Sequence, residues 1–276
     1  MFKDVQDCIR YLKRGIEEYP FLTEIIEHKD FNKWERNLIK SVDFNKFLVG
    51  ESTYLNILNT TALIGYSVDN KIDDVLFTHY RMLFDKLELY LKTFPDLIFD
   101  KSFKSKIKNI EGLFFLSTLS ELSLAYHFKK SGLNIKFETP FKELTSGKVK
   151  DVDISIYDEF NNQIHLEVYM PNKQVNINGF FDPHQDDNSI VQKIEHKFLD
   201  KFGKDEVIGL NGKILLAVNI TFLDSLRIKT NIPFCNRESI LEDLNIKIPP
   251  HINGILFFED DFSNNSSFQF YKLLIR

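Results

Sequence analysis

The sequence predicts an α/β (α+β) protein in which a mixed β-sheet is flanked by helices and is preceded by an all-helical region. Three observations support this. The first hundred residues carry apolar side chains at helical spacing, the rest of the chain alternates long helical stretches with short strand-like runs, and two of those runs alternate polar and apolar residues. Strands flanked by long helices are typical of a sheet covered on both faces. We therefore expect a helical domain at residues 1–100 and a sheet domain at residues 101–276.

Four helices are predicted in the helical domain, at residues 2–18, 31–48, 52–64 and 72–94. The last of them shows the clearest pattern, because its apolar residues recur every three or four positions and would bury one face. Pro95 follows directly and marks the end of that helix.

The sheet domain is predicted to begin with a long helix, 104–130, that ends near Gly132. Further elements follow in the order three strands, helix, strand, short helix and two strands: 134–140, 149–157, 163–170, 188–202, 213–221, 238–244, 253–259 and 268–275. Asn188 or Ser189 is a plausible N-cap of the second long helix.

Composition excludes several classes of protein. No stretch approaches the roughly 20 uninterrupted apolar residues that span a bilayer, and the N-terminus fits neither a signal nor a transit peptide. Two cysteines, Cys8 and Cys235, are too few for a disulfide framework or a cysteine metal site, so we expect a cytoplasmic protein without a membrane partner. The chain has no phosphate-binding loop, dinucleotide fingerprint or nucleophile elbow.

The two central strands carry the residues of chemical interest. Asp151, Asp153, Ser155 and Tyr157 alternate with apolar residues in the first strand, and His165, Glu167 and Tyr169 do so in the second. Pairing the strands on one core places Asp153 and Glu167 side by side on the same face, where two carboxylates suit a hard divalent cation. A solvated hairpin has the same alternation, with its carboxylates facing water.

The helix before the hairpin adds a third carboxylate. Glu121 falls near its apolar face, where a charged group is costly unless something pairs with it. A lysine partner and a share in a metal site are both consistent with this position.

These residues together resemble the PD-(D/E)XK superfamily, the restriction-endonuclease-like nucleases. The matching segments are LSELSLAYHFKKSG around Glu121, DVDISI around Asp153 and HLEVY around Glu167. The resemblance covers residues 112–221 and includes the order helix, three strands, helix, strand.

The resemblance implies metal-dependent hydrolysis of phosphodiester bonds with Mg²⁺ or Mn²⁺ as cofactor. Asp153, Glu167 and the backbone carbonyl of Val168 would hold the ion, and Glu121 would join directly or through water. Asp151 shares the predicted face of Asp153 and is the alternative ligand.

One position departs from the family pattern. The family's lysine, two residues after the strand Glu, is replaced here by Tyr169, a neutral phenol that donates a hydrogen bond but supplies no positive charge. A lysine from elsewhere is therefore expected to substitute, and Lys173 is the nearest in sequence. Lys148 and Lys150 are the other candidates.

Lysines also suggest how nucleic acid would be bound. Residues 101–150 contain ten Lys and four Glu but neither Arg nor Asp, although the whole chain has a net charge of -5. On the second long helix, Lys193, Lys197 and Lys201 are spaced to form one stripe that contacts phosphates, or else a solvated face.

The sequence thus favours a metal-dependent endonuclease that acts on DNA in preference to RNA. The alternative is a catalytically weak or inactive protein of the same fold that binds nucleic acid or a protein partner. In a third hypothesis the hairpin is incidental and the chain is a helical interaction protein. The N-terminal helices are the candidate surface for a homodimer or a protein partner.

Overall fold

The computed structural model describes 2–41, 43, 56–108, 113–171, 187–203, 207–221, 246–260, 262 and 267–276. The chain forms two compact units, Met1–Leu119 with Phe262–Asn265, and Ser120–Asp261 with Ser266–Arg276. The predicted domain boundary after residue 100 therefore lies inside the first unit.

The first unit is helical wherever it is described. Its elements are α1 (Val5–Glu18), α2 (Leu22–Ile25), α3 (His28–Lys40), α4 (Ile57–Asp69), α5 (Val75–Thr93), a 3₁₀ turn (Pro95–Phe99) and α6 (Lys101–Lys108). The helical prediction for the first hundred residues is confirmed for the described part. The predicted helix 31–48 is too long, because it ends at Lys40, where the backbone of Ser41 becomes extended. The predicted long helix 104–130 corresponds to two helices, α6 and α7 (Leu113–Lys130).

Two glycines allow α1 and α4 to pack closely. A Cβ on Gly65 would lie 1.9 Å from the carbonyl oxygen of Tyr11, and one on Gly15 would lie 2.1 Å from that of Thr61. Both distances are far inside van der Waals contact, so only glycine permits this separation of the two backbones.

The second unit contains a mixed sheet of seven strands. They are β1 (Asn134–Glu143), β2 (Val149–Tyr157), β3 (Gln163–Tyr169), β4 (Val207–Ile208), β5 (Lys213–Asn219), β6 (Gly254–Glu259) and β7 (Gln269–Ile275). Helix α8 (Asp187–Phe202) lies between β3 and β4 in the chain. The predicted order of helix, three strands, helix and strand is confirmed. The predicted caps of α8 are wrong, because Asn188 and Ser189 lie inside it, and the predicted helix 238–244 lies outside the described residues.

The sheet has the order β4-β1-β2-β3-β5-β6-β7. Strands β1, β2 and β3 are antiparallel neighbours, β3, β5 and β6 are parallel, and β7 returns antiparallel to β6. The parallel step from β3 to β5 requires a crossover, and α8 belongs to that connection. The predicted α+β class with a mixed sheet is confirmed.

Helices cover both faces of this sheet. On one face, residues from α8 pack with alternate residues of β5 and β6 in an apolar cluster that includes Ile194, Phe198, Leu216 and Phe257. On the other, the Ser120 hydroxyl of α7 lies 2.8 Å from the amide nitrogen of Asn219 at the end of β5. Because successive strand residues face opposite sides, α7 and α8 lie on opposite faces.

Candidate active site

Asp153 and Glu167 lie side by side on β2 and β3, as the alternation predicts. The regular ladder between these strands includes the pair Ile154 and Leu166, one step away. Beside it the Asp153 carboxylate accepts a hydrogen bond from the backbone N–H of Val168 at 2.7 Å. The side chain of Asp153 thus replaces a backbone acceptor and is fixed next to Glu167.

The alternation of β2 is interrupted at this point. Val152 belongs to the apolar cluster beneath α8, while the neighbouring Asp153 carboxylate lies 3.8 Å from the ammonium of Lys201 on the same helix. On β1, Glu138 has a φ of 50° between the paired positions on either side of it. Val152 thus shares an apolar cluster with α8 while Asp153 meets Lys201 of the same helix, an arrangement that strict alternation along β2 did not predict.

Two lysines of α8 bind the carboxylates. Lys197 Nζ lies 2.8 Å from Glu167 Oε1, and Lys201 Nζ lies 2.7 Å from Glu167 Oε2. The Glu167 side chain is 1% exposed, whereas the side chains of Lys197 and Lys201 are 29% and 20% exposed. The site therefore has a buried carboxylate at its base and two ammonium groups on the side toward solvent.

Burial dominates the electrostatics of Glu167. Burial, and next the Asp153 carboxylate, raises the pKa of Glu167 to about 7, although Lys201 and Lys197 act in the opposite direction. Burial lowers the pKa of Lys197, but Glu167, Asp153 and Asp200 together raise it by more, so the net shift is upward. A surface carboxylate is ionised at neutral pH, whereas Glu167 takes up a proton near neutral pH. This difference in pKa distinguishes the pair from surface carboxylates.

The two oxygens of Glu167 differ in their partners. Oε1 is hydrogen-bonded by Lys197. Oε2 is buried and receives no hydrogen bond from any residue that the structure describes, although the Lys201 ammonium lies nearby. An ionised oxygen without a directed donor has lone pairs available to another cation.

Tyr169, where the family has lysine, is partly buried on the same face of β3. Its ring centroid lies 5.8 Å from Lys197 Nζ, within the range of a cation–π contact. Burial raises the pKa of the Tyr169 phenol, with Lys197 opposing. The phenol therefore stays neutral, and its ring lies beside the Lys197 ammonium group.

His165, two residues before Glu167, belongs to a buried hydrogen-bonded chain. Its Nε2 lies 3.0 Å from the carbonyl oxygen of Asn211, and its Nδ1 lies 2.7 Å from the hydroxyl of Ser155, which also contacts Thr139. Burial lowers the pKa of His165, with the hydrogen bond to Asn211 opposing. A carbonyl only accepts, so the neutral ring carries its proton on Nε2 and faces the Ser155 hydroxyl with Nδ1.

Lys150 holds the end of α8. Its ammonium donates to the carbonyl oxygens of Asp200 and Lys201 at 2.5 and 2.9 Å and pairs with Glu143 at 2.5 Å. A cation at the C-terminus of a helix satisfies its last carbonyl groups. Lys150 is therefore not the substitute for the missing lysine, but it fixes the segment that carries Lys201.

Glu121 does not form a metal-binding group with the carboxylate pair among the described residues. It is partly buried on α7, the helix on the opposite face of the sheet from α8. No group of three His, Cys, Asp or Glu side chains in the described part of the chain is close enough to hold a metal ion. The trio of Glu121, Asp153 and Glu167 is thus not assembled as one cluster, and a metal role for Glu121 stays a prediction.

The hydroxyls that flank Glu121 enter a second buried network. Ser123 donates to the carboxylate of Asp260, and so does Ser267. Asp260 is fully buried at the end of β6, and Ser120 also donates to the sulfur of Met170 at 3.3 Å. This network fixes α7 to the ends of the parallel strands and is a structural feature that the sequence analysis missed.

The remaining predicted positions are placed as follows. Asp151 is exposed, which leaves Asp153 as the acidic residue of β2 beside Glu167. Val168 is buried next to the pair, with its N–H taken by Asp153. Lys193 is partly exposed on α8. Lys173 lies outside the residues that the structure describes.

The roles of Lys197 and Lys201 were only partly predicted. The sequence indicated a lysine stripe for phosphate contact, whereas the structure places both ammonium groups on the carboxylates. A signal for this was present: Ile194, Phe198 and Phe202 follow the same four-residue spacing and are fully buried. Lysines one position before each residue of a buried stripe lie at its border and are directed toward the sheet.

Comparisons with known proteins returned no match: no family model, no curated protein and no solved structure is similar to this chain. Among the helices of the described residues, none is both long enough and apolar enough to cross a membrane. The case for a function rests on the geometry of the site.

Proposed function

We propose that the chain is a metal-dependent nuclease with a restriction-endonuclease-like core, hydrolysing phosphodiester bonds in DNA in preference to RNA. The observation that carries the proposal is the buried Glu167, held beside Asp153 and contacted by two lysines of one helix. Two carboxylates and two ammonium groups in direct contact suit a site that binds both a metal and a phosphate.

The arrangement of elements supports the fold part of the proposal. Helix α7, strands β1 to β3, helix α8 and strand β5 follow each other in the order of the restriction-endonuclease-like core. The sheet is mixed, and α7 and α8 cover opposite faces. The carboxylates lie on the second and third strands of that core, where the resemblance expects them.

The residues present fit a Mg²⁺ or Mn²⁺ ion. The donors are hard oxygen atoms, and Mg²⁺ is commonly held by one or two carboxylates while it keeps water and substrate phosphate as further ligands. Glu167 Oε2 is buried without a hydrogen-bond donor among the described residues, and Lys201 already places a cation within 4.0 Å of both carboxylates. Asp153, Glu167 and the Val168 carbonyl would hold the ion.

When bound, the ion would supply a water of lowered pKa and a positive charge for the phosphate oxygens. The protein's own residues do the rest. Asp153 is oriented by Val168, which fixes the direction of its free oxygen. Lys197, packed against Tyr169, takes the place of the family's lysine: it positions the attacking water and offsets negative charge in the transition state.

Cleavage assays on labelled DNA and RNA test the proposal. Asp153→Asn and Glu167→Gln are each expected to lower Mg²⁺- or Mn²⁺-dependent cleavage at least about 100-fold, because each removes an ionised metal ligand. The matched control is Asp151→Asn, which alters an exposed carboxylate of the same strand and should retain activity. Full cleavage by the Glu167 variant, or cleavage in EDTA, would refute the assignment.

Lys197→Met tests the substitute lysine separately. It is expected to lower the cleavage rate about 100-fold while metal binding persists, because Lys197 contacts only the oxygen of Glu167 that faces away from Lys201. Lys130→Met, an exposed lysine on α7, is the control. An unchanged rate for Lys197→Met would assign the role to another lysine.

Tyr169 favours one alternative function. Without a lysine at that position, and with Lys197 and Lys201 engaged by carboxylates, the fold would suit a protein that binds nucleic acid or a protein partner without cutting. Binding of DNA that is unaffected by EDTA, with no cleavage in Mg²⁺ or Mn²⁺, would favour this alternative.

A further inference from the structure

The two lysines at the carboxylate pair occupy different positions. Lys197 contacts Glu167 Oε1 at 2.8 Å with a hydrogen bond. Lys201 contacts Oε2 at 2.7 Å, and it also lies 3.8 Å from Asp153 Oδ1. Only Lys201 therefore bridges the two carboxylates.

The bridging position is also the place where a metal ion would bind. An ion held by Glu167 Oε2 and Asp153 would lie about 2.0–2.6 Å from each oxygen. The Lys201 ammonium already lies 2.7 Å from Oε2. Two cations do not share that space, because they would overlap and repel each other at short range.

Charge balance also argues against a metal ion and Lys201 occupying the bridging position together. When both carboxylates are ionised, they and the two ammonium groups sum to zero charge in the metal-free site. A divalent ion added to the intact cluster would leave two uncompensated positive charges in a largely buried site, which is costly. If Lys201 leaves as the ion enters, the excess is a single positive charge, which the negative charge of a phosphodiester neutralises.

The protein permits Lys201 to leave. Its side chain is partly exposed at 20%, so that its ammonium reaches water by rotation of its long flexible chain. Its contact with Oε2 lacks the geometry of a hydrogen bond. Lys197 does have a hydrogen bond and also packs by the Tyr169 ring, so it is the lysine that stays.

We propose that Lys201 is the resident counter-ion of the Asp153–Glu167 pair, and that a divalent cation binds by displacing its ammonium group while Lys197 stays on Glu167. The inference rests on the proposed function, because it takes the same carboxylates as the metal ligands. Lys201 then lowers the affinity of the site for the metal ion, and its ammonium group is released next to the incoming phosphate.

The first test measures Mn²⁺ binding to the metal-free 276-residue chain by isothermal titration calorimetry, without nucleic acid. Lys201→Met is expected to bind Mn²⁺ on the order of tenfold more tightly than the unmodified protein, because the competing cation is gone. Lys130→Met, the exposed lysine control, should bind with unchanged affinity. Equal or weaker binding by Lys201→Met would overturn the displacement.

A second test needs no variant and decides the matter if Lys201→Met fails to fold. Mass spectrometry compares the rate at which acetic anhydride modifies each lysine of the unmodified protein with and without Mg²⁺. Lys201 is expected to react several-fold faster in Mg²⁺, while Lys197 reacts at the same rate. Unchanged reactivity of Lys201 at saturating Mg²⁺ would overturn the inference.

The outcomes separate this inference from the proposed function. If the unmodified protein binds Mn²⁺ but Lys201→Met gains nothing, the metal site stands and the displacement is refuted. If neither protein binds Mn²⁺, the metal site fails and both proposals are refuted.

Discussion

Glu167→Gln, studied in the metal-free protein, is predicted to change how stability depends on pH. Glu167 is buried, and burial with the nearby Asp153 carboxylate raises its pKa from 4.5 to about 7. The variant retains the shape of the side chain but removes its titration. Relative to the variant, the unmodified protein is expected to lose stability as the pH rises through this interval.

The sign follows from proton linkage. In the unfolded chain the pKa of Glu167 returns to its ordinary value near 4.5, so the folded state holds the proton more tightly. The stabilisation is fully present below pH 4.5, declines between 4.5 and about 7, and is absent above. At about 1.4 kcal/mol per pH unit, the total is on the order of 3 kcal/mol.

Urea unfolding in EDTA at pH values from 4.5 to 8 measures the effect. The difference in the free energy of unfolding, variant minus unmodified protein, should become more positive by roughly 3 kcal/mol across this range. Lost contacts to the two lysines add a constant offset and leave this slope unchanged. Glu159→Gln, at an exposed position, is the control and should give a flat difference. A flat or falling difference for Glu167→Gln would refute the account of a destabilised buried carboxylate.

Two further predictions concern packing and a buried network, and both use denaturant unfolding at pH 7. Gly65→Ala is expected to lower the free energy of unfolding by about 3 kcal/mol, since its Cβ would meet the Tyr11 carbonyl oxygen at 1.9 Å. The exposed control Lys13→Ala should change little, and an equally small effect at Gly65 would show that the helices separate easily. Ser123→Ala removes a donor from the fully buried Asp260 and should cost about 1–3 kcal/mol. No loss would mean that other donors fully satisfy that carboxylate.

Hydrophobic periodicity carried much of the local prediction. It gave the order of elements in the sheet domain and the pairing of Asp153 with Glu167, because alternation along a strand is a local property and the two strands are joined by a short turn. Helix ends were less well predicted. The stretch 104–130 was predicted as one helix, whereas the structure describes two, Lys101–Lys108 and Leu113–Lys130, and Gly112, a poor helix former, directly precedes the second.

The candidate site shows where local reasoning stops. Alternation alone put Val152 and Asp153 on opposite faces, whereas Val152 shares an apolar cluster with α8 and Asp153 lies near Lys201 of the same helix. The position of Glu121 was also beyond local reasoning. Its helix packs on the other face of the sheet from α8. Hydrogen bonds of Ser120 and Ser123 to residues at the ends of distant strands hold it there.

Local patterns in the sequence were therefore sufficient to predict the α+β class, the order of strands and helices around the hairpin, and the adjacency of two carboxylates on it. The cations that contact these carboxylates depend on how distant segments pack. Lys197 and Lys201 are about thirty residues from Glu167 in the chain, and the rotation of α8 that directs them inward is set by the burial of Ile194, Phe198 and Phe202 against the sheet. That rotation depends on side chains of distant strands, and local periodicity contains no information about them.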